Sequence, residues 1–208
     1  MPSVDRVVLV PVKAFADAKA RLAPVLSPSH RERLARWTAE RVLAAAGDLP
    51  VFVACDDDGV AEWATANGAT VLWHPGVGLN AAVNDSFRDL RQRGAGHVVV
   101  AHGDLPRARR LADTIIAGTL TLVPDALSDG TNVIALPSSM PFEFAYGPAS
   151  FRRHLDQALA AGLPVAVRRD PLLAIDIDTP SDLAHPLVQE VLPAWLLTNP
   201  ANPNPAHV

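Results

Sequence analysis

The chain alternates two kinds of apolar pattern. Short runs rich in branched residues predict buried strands at Val7–Val12, Val51–Ala54, Thr70–Trp73, His97–His102 and Thr119–Pro124. Longer stretches with apolar residues three and four apart predict helices between them, at Ser29–Ala46, Asp58–Asn67, Asn80–Arg93 and Arg107–Ala117. Ser29 and Glu32 have the spacing of a capping box, and Asn67-Gly68 and Gly94 supply helix stops. Strand followed by helix, four times over, predicts a parallel sheet with helices on both faces. The second half is less regular. A turn-rich segment Asp125–Asn132 precedes a strand at Val133–Leu136, and an aromatic loop Pro137–Pro148 precedes a helix at Ala149–Ala161. Strands at Pro164–Arg168 and Leu173–Ile177 follow, then a short helix opened by Thr179-Pro180. Residues 1–198 read as one domain and Asn199–Val208, rich in Pro and Asn, as a disordered tail.

Composition narrows the class. With 208 residues and 49% apolar positions the chain can bury a core without disulfides, and its single cysteine, Cys55, excludes a Cys-based zinc site. Eighteen basic against twenty-two acidic residues give a net charge of −4, which argues against a nucleic-acid surface. No run is long enough to span a membrane and no secretion signal is visible, so a cytoplasmic enzyme or binding protein is expected. Lys13 and Lys19 are the sole lysines among those eighteen basic residues, six positions apart in one segment.

Candidate chemistry gathers where strands end. Asp176 and Asp178 are two apart, so in an extended segment they share a face. Paired carboxylates at the carboxyl edge of a sheet suit Mg²⁺, which bridges acids and phosphates. Asp104, after the strand His97–His102, would add a third carboxylate. Lys13, Lys19 and Arg21 follow the first strand and would face a polyphosphate from the same edge. Each group also has an ordinary reading: a helix cap for Asp104 or Asp178, a solvated basic loop for the cations. Gly76-Val77-Gly78-Leu79-Asn80-Ala81 fits a dinucleotide fingerprint loosely but follows the third strand, and Gly78 and Asn80 fit equally a helix start beside a base. Thr131 offers a hydroxyl and a backbone N–H after a Gly turn, and Gly147 and Ser150 lie at a helix start whose free N–H groups favour anions.

Taken in order, Pro11-Val12-Lys13, Ala18-Lys19-Ala20-Arg21-Leu22, Gly78-Leu79-Asn80, His102-Gly103-Asp104-Leu105-Pro106, Gly130-Thr131-Asn132, Tyr146-Gly147-Pro148-Ala149-Ser150-Phe151-Arg152-Arg153-His154 and Asp176-Ile177-Asp178-Thr179-Pro180 resemble the guanylyltransferases of coenzyme F-420 biosynthesis. The resemblance covers about residues 6–185. It implies an α/β, nucleotide-diphospho-sugar-transferase-like (Rossmann-like) mixed sheet, and an enzyme that joins GTP to phosphoenolpyruvate or 2-phospho-L-lactate with Mg²⁺ and releases pyrophosphate. By that resemblance Asp104, Asp176 and Asp178 hold metal, and Thr131, Gly147 and Ser150 hold the phosphorylated acid. Lys13, Lys19 and Arg21 face the triphosphate, and Gly78, Asn80 and Asp104 lie by the nucleotide. Gly103, Ala20, Ala126, Tyr146 and Ala149 stand where the family more often has Ala, Ser, Arg, Phe and Gly. The loss of Arg at position 126 bears on which acid is used. The alternatives are a cytidylyl- or molybdopterin-type nucleotidyltransferase, which would need a Gly-rich loop after the first strand, and a decayed nucleotide sensor. Expected partners are GTP and a small phosphorylated carboxylic acid, with no nucleic acid or membrane; a homodimer is compatible with the sequence.

Overall fold

A computed structural model describes residues 5–197. The tail expected at Asn199–Val208 lies outside the described residues. Seven strands form one sheet: β1 (Arg6–Pro11), β2 (Val51–Cys55), β3 (Thr70–Trp73), β4 (His97–Ala101), β5 (Leu120–Pro124), β6 (Thr131–Pro137) and β7 (Val165–Val167). Their order is β3-β2-β1-β4-β6-β5-β7. Helices α1 (Pro28–Ala45), α2 (Asp58–Ala66), α3 (Gly78–Gln92) and α4 (Ser150–Ala160) pack on it, and three single-turn helices, α5 (Pro180–Leu183), α6 (Pro186–Gln189) and α7 (Ala194–Leu197), end the described chain.

Strand alternation sorts the core into two layers. Val8, Val10, Val53, Val99 and Val133 point to the side of α1 and α2, where Ala39, Val42, Val60 and Trp63 meet them. Val7, Leu9, Val98, Val100, Ile134 and Leu136 point to the opposite side, under Val83, Phe87 and Leu90 of α3 and Ala158 of α4. A third cluster joins Leu22, Leu26 and Leu34 to Ile175, Ile177, Leu183 and Val188. It ties the segment after β1 to the segment that carries Asp176 and Asp178.

Four expectations from local pattern need correction. The sheet is mixed, as the family resemblance implied, and not wholly parallel: β6 runs antiparallel to both β4 and β5. The six residues between β5 and β6 form a tight turn, too short for the crossover that parallel strands require. The helix expected over Arg107–Ala117 shrinks to a 3-10 turn at Leu111–Thr114, entered through Arg110 at φ +48° and left through extended Ile115. The strand expected at Leu173–Ile177 has no ladder, because the Leu172 and Leu173 N–H groups donate to the Asp170 carboxylate. Its alternation survives, with Leu173, Ile175 and Ile177 buried, and the Ile177 N–H donates to the Asp104 carbonyl at 3.2 Å. Finally, α1 is capped by Ser27, whose Oγ accepts from the His30 N–H. Pro28 occupies the first helical position, where no N–H is needed, so Ser29 falls inside the helix and Glu32 pairs with Arg36 instead.

Candidate active site

The carboxyl ends of β1, β2, β4 and β5 and the amino end of β6 share one edge of the sheet. The 13–22 segment follows β1 along that edge. It is stapled by Phe15, which packs edge-on against Trp63 at 5.1 Å, and by Leu22 in the third cluster. Between these anchors the chain turns sharply, and Lys19 takes a left-handed conformation (φ +58°, ψ +36°). A non-glycine residue holds that conformation where its surroundings over-determine it. The turn drives the Lys19 side chain inward until it is only 5% exposed, with Nζ 3.0 Å from Asp104 Oδ2 and 3.8 Å from Asp178 Oδ1. Arg21 stays in solvent and reaches Asp178 Oδ2 at 3.3 Å. Lys13 is exposed and makes no ion pair among the described residues.

The acids at this edge are not equivalent. Burial, the largest single influence, would raise the Asp104 carboxyl, but the Lys19 ammonium, with smaller contributions from His102 and from hydrogen bonds to the carboxylate, holds Asp104 below the usual carboxylate range. Asp176 is pushed up to about 7, first by burial and then by the Asp104 charge. Asp104 Oδ1 is buried and meets no partner in the described structure. The expected convergence of all three aspartates is not met: among the described residues no three His, Cys, Asp or Glu side chains gather as a metal cage. The reason is visible, because the Lys19 ammonium stands between Asp104 and Asp178. Asp104 and Asp176 nevertheless suit one hard cation. One has an unpartnered oxygen, the other is strained by a like charge, and Mg²⁺ commonly takes only one or two carboxylates beside substrate phosphates. His102 lies beside them, its ring kept neutral by burial and its Nε2 without a partner.

Two adjoining cavities open along the edge. One, of about 320 Å³, is bordered by Lys13, Lys19, His102, Gly103, Asp104 and Asp178. The other, of about 210 Å³, lies between the ends of β1 and β2 and the start of α3, and includes Lys13, Asp56, His74, Gly78 and Leu79. They share Lys13, Asp17 and Leu79. Gly78, at φ +76°, turns the chain into α3 here.

Asn80 is used in a way the sequence did not suggest. Its side-chain amide clasps the Tyr146 backbone, accepting from the Tyr146 N–H at 2.7 Å and donating to its carbonyl at 3.1 Å. Asn84, one turn later, does the same to Phe144 at 2.9 and 3.0 Å. Two amides four apart on one helix thus replace a β-strand as the partner of residues 144–146. The 80/84 spacing was the available signal. Whatever Asn80 contributes to a nucleotide, it first holds the loop that leads to Gly147.

Thr131, Gly147 and Ser150 do come together. Thr131 opens β6 and Ser150 opens α4, each only 2% exposed, and the Thr131 N–H donates to Ser150 Oγ at 3.1 Å. This corrects the expectation that the Thr131 N–H and the helix-start N–H groups are open to a ligand. Ser150 N–H is bound to the Gly147 carbonyl, Phe151 N–H to the Asp129 carbonyl and Ala149 N–H to the Asp129 carboxylate. What is left is side-chain chemistry: an Oγ that already accepts has its hydroxyl proton to give. Gly147 lies at φ +123°, and a Cβ there would meet Arg153 at 3.6 Å. Gly147→Val should therefore distort this loop, raising the apparent KM for the phosphorylated acid at least ~10-fold, the scale of a lost contact to a charged group, while the KM for GTP moves less than twofold. Steady-state kinetics with each substrate varied in turn would check this; an enzyme impaired only towards GTP would contradict it.

The acid pair and this hydroxyl pair are neighbours on the sheet. The His102 N–H donates to the Asn132 carbonyl, and the His102 ring meets Tyr146 edge-on at 4.7 Å.

Comparison with known proteins bears on the fold and the family. Among solved structures, a nucleotide-diphospho-sugar transferase from Desulfovibrio desulfuricans superposes with a TM-score of 0.69 at 17% identity, covering 86% of this chain and 84% of that one. A CMP:2-keto-3-deoxy-manno-octonic acid synthetase superposes at 0.55 with 16% identity, covering 86% and 95%. At such identities these establish the fold alone, the nucleotide-diphospho-sugar-transferase-like mixed sheet. Sequence relatives reach further. A phosphoenolpyruvate guanylyltransferase of Rubrobacter xylanophilus is 38% identical over 188 residues, 85% of this chain and 91% of that protein. One of Sphaerobacter thermophilus is 37% identical, covering 85% and 90%. A 2-phospho-L-lactate guanylyltransferase of Methanothermobacter thermautotrophicus is 32% identical, covering 85% and 82%. The profile of the guanylyl transferase CofC-like family matches residues 6–189, nearly all of the described chain, and the chain belongs to that family.

Proposed function

We propose that this chain transfers the guanylyl group of GTP to phosphoenolpyruvate, or a closely related phosphorylated three-carbon acid, with release of pyrophosphate, as a step in coenzyme F-420 biosynthesis. The observation that carries this reading is the Lys19 ammonium between Asp104 and Asp178, at a sheet edge that also presents Lys13, Arg21 and the hydrogen-bonded Thr131–Ser150 pair. Relatives named for phosphoenolpyruvate support that acid over 2-phospholactate.

In the proposed reaction an oxygen of the acid's phosphate attacks the α-phosphorus of GTP. A new P–O bond forms, the bond from that phosphorus to the α–β bridging oxygen breaks, and its electrons leave with pyrophosphate. The attacking oxygen is already an anion, so no general base is required. Catalysis then rests on alignment and charge. Lys13 and Lys19 offset the triphosphate from one side, and Arg21 reaches its outer oxygens. Asp104 and Asp176 would hold Mg²⁺, which when bound supplies positive charge to the phosphates. Thr131 and Ser150 would donate their hydroxyl protons to the acid's carboxylate, with Gly147 allowing close approach.

The test is pyrophosphate release with GTP, ATP, CTP and UTP crossed against phosphoenolpyruvate, 2-phospholactate and 3-phosphoglycerate. GTP with phosphoenolpyruvate should be the fastest pair and should need Mg²⁺. A preference for CTP, or release independent of any acid, would contradict the reading.

A further inference from the structure

His154 belongs to neither the acid cluster nor the cavities, yet it is bound at both ring nitrogens. It lies one turn after Ser150 on α4, 1% exposed, with its ring against Phe142 at 5.6 Å and Tyr146 at 5.2 Å. The Ala145 N–H donates to its Nε2 at 2.9 Å. A backbone amide can only donate, so Nε2 carries no hydrogen. The neutral ring therefore has its hydrogen on Nδ1, which lies 3.0 Å from Thr131 Oγ1 and must donate to it. The Thr131 hydroxyl, already an acceptor on that side, has its own proton to give elsewhere.

We propose that His154 is a positioning residue: by fixing its tautomer against Ala145 and donating to Thr131, it turns the Thr131 hydroxyl proton outward to the carboxylate of the phosphorylated acid. This rests on the assignment of Thr131 to the acid pocket made above. Burial, and after it the Arg153 charge, pushes the His154 pKa down to about 4, so the ring keeps this single-donor form at neutral pH. The device matches that on Ser150, whose Oγ accepts the Thr131 N–H. Two buried hydroxyls are thus each given a protein donor, and each keeps one proton for an anion.

The two nitrogens can be separated by substitution. Glutamine places its amide where Nε2 stands and can still accept from Ala145, but gives Thr131 nothing. Asparagine places its amide near Nδ1 and can still donate to Thr131. The experiment measures steady-state KM for phosphoenolpyruvate and for GTP, with melting temperatures, in wild type, Thr131→Val, His154→Gln, His154→Asn and the Thr131→Val/His154→Gln double variant. Thr131→Val and His154→Gln should each raise the acid KM about ten-fold, the scale of one hydrogen bond to a charged group, with the GTP KM within twofold of wild type. His154→Asn should recover most of the loss, and the double variant should be no worse than Thr131→Val alone. A His154→Gln enzyme with unchanged acid KM, one equally impaired for both substrates, or losses that multiply in the double variant would overturn the relay. Thr131→Val with unchanged acid KM, or a wild type without acid-dependent pyrophosphate release, would overturn the acid-pocket reading and the relay with it.

Discussion

Lys19→Met should slow guanylyl transfer at least ~10-fold, because one charge-assisted contact to a phosphate is worth roughly 1.5–3 kcal/mol. It should also destabilise the fold. Nζ lies 3.0 Å from Asp104 Oδ2 on a side chain only 5% exposed, so its loss leaves a largely buried carboxylate unpaired. Breaking a buried pair costs about 3–5 kcal/mol, and the partial exposure of Asp104 puts this one at or below the lower end, about 3 kcal/mol. GTP kinetics, measured well below the melting temperature, separate the two effects. Unchanged kinetics with a lowered melting temperature would make Lys19 a strut and not a phosphate ligand.

Asp176→Asn should act on stability in the opposite sense. The Asp176 carboxyl is held at about 7, so between its unfolded value and 7 the folded chain binds the extra proton. Stability from this group is full in acid and is lost as pH rises through 7. Against an ordinary carboxylate near 4, the cost at pH 8 is on the order of 2–4 kcal/mol. In metal-free buffer at pH 8, Asp176→Asn should melt at a higher temperature than wild type, and the difference should vanish towards pH 4. The same variant should lose about 10²–10³-fold in turnover or more, as removal of a charge-stabilising group does. Stability gained where activity is lost marks a side chain kept for function. Near-normal Mg²⁺-dependent turnover in a folded Asp176→Asn enzyme would sink the metal assignment.

Legibility from sequence followed the physics of each element. Strands with branched runs, such as Val7–Val10 and Val98–Val100, are buried on both faces, and local pattern finds them. The direction of β6 is set by the short turn before it, so the alternation of strand and helix alone missed it. The shared face of Asp176 and Asp178 is legible in their spacing even though their segment forms no ladder, because an extended chain alternates with or without a partner strand. Lys19 stood out through the scarcity of lysine, but its burial depends on Phe15 and Leu22, anchors that belong to two different clusters. The helix start at Ala149–Ser150 is not the open anion site its pattern predicts, since the Ala149 and Phe151 N–H groups are satisfied by Asp129, remote in sequence, and the Ser150 N–H by the Gly147 carbonyl. Asn80, Asn84 and His154 act through long-range backbone contacts to residues 144–146; the spacing of the two asparagines puts them on one helix face, but no local pattern encodes what that face meets.

The central claim concerns which bond of GTP breaks and what takes its place. Parallel incubations with phosphoenolpyruvate, Mg²⁺ and GTP labelled with ³²P at either the α or the γ position answer it. The account predicts that the α-label moves into a product containing both guanosine and the acid, and the γ-label into pyrophosphate, one for one. The γ-label appearing on the acid, or the α-label remaining in GDP, would contradict it.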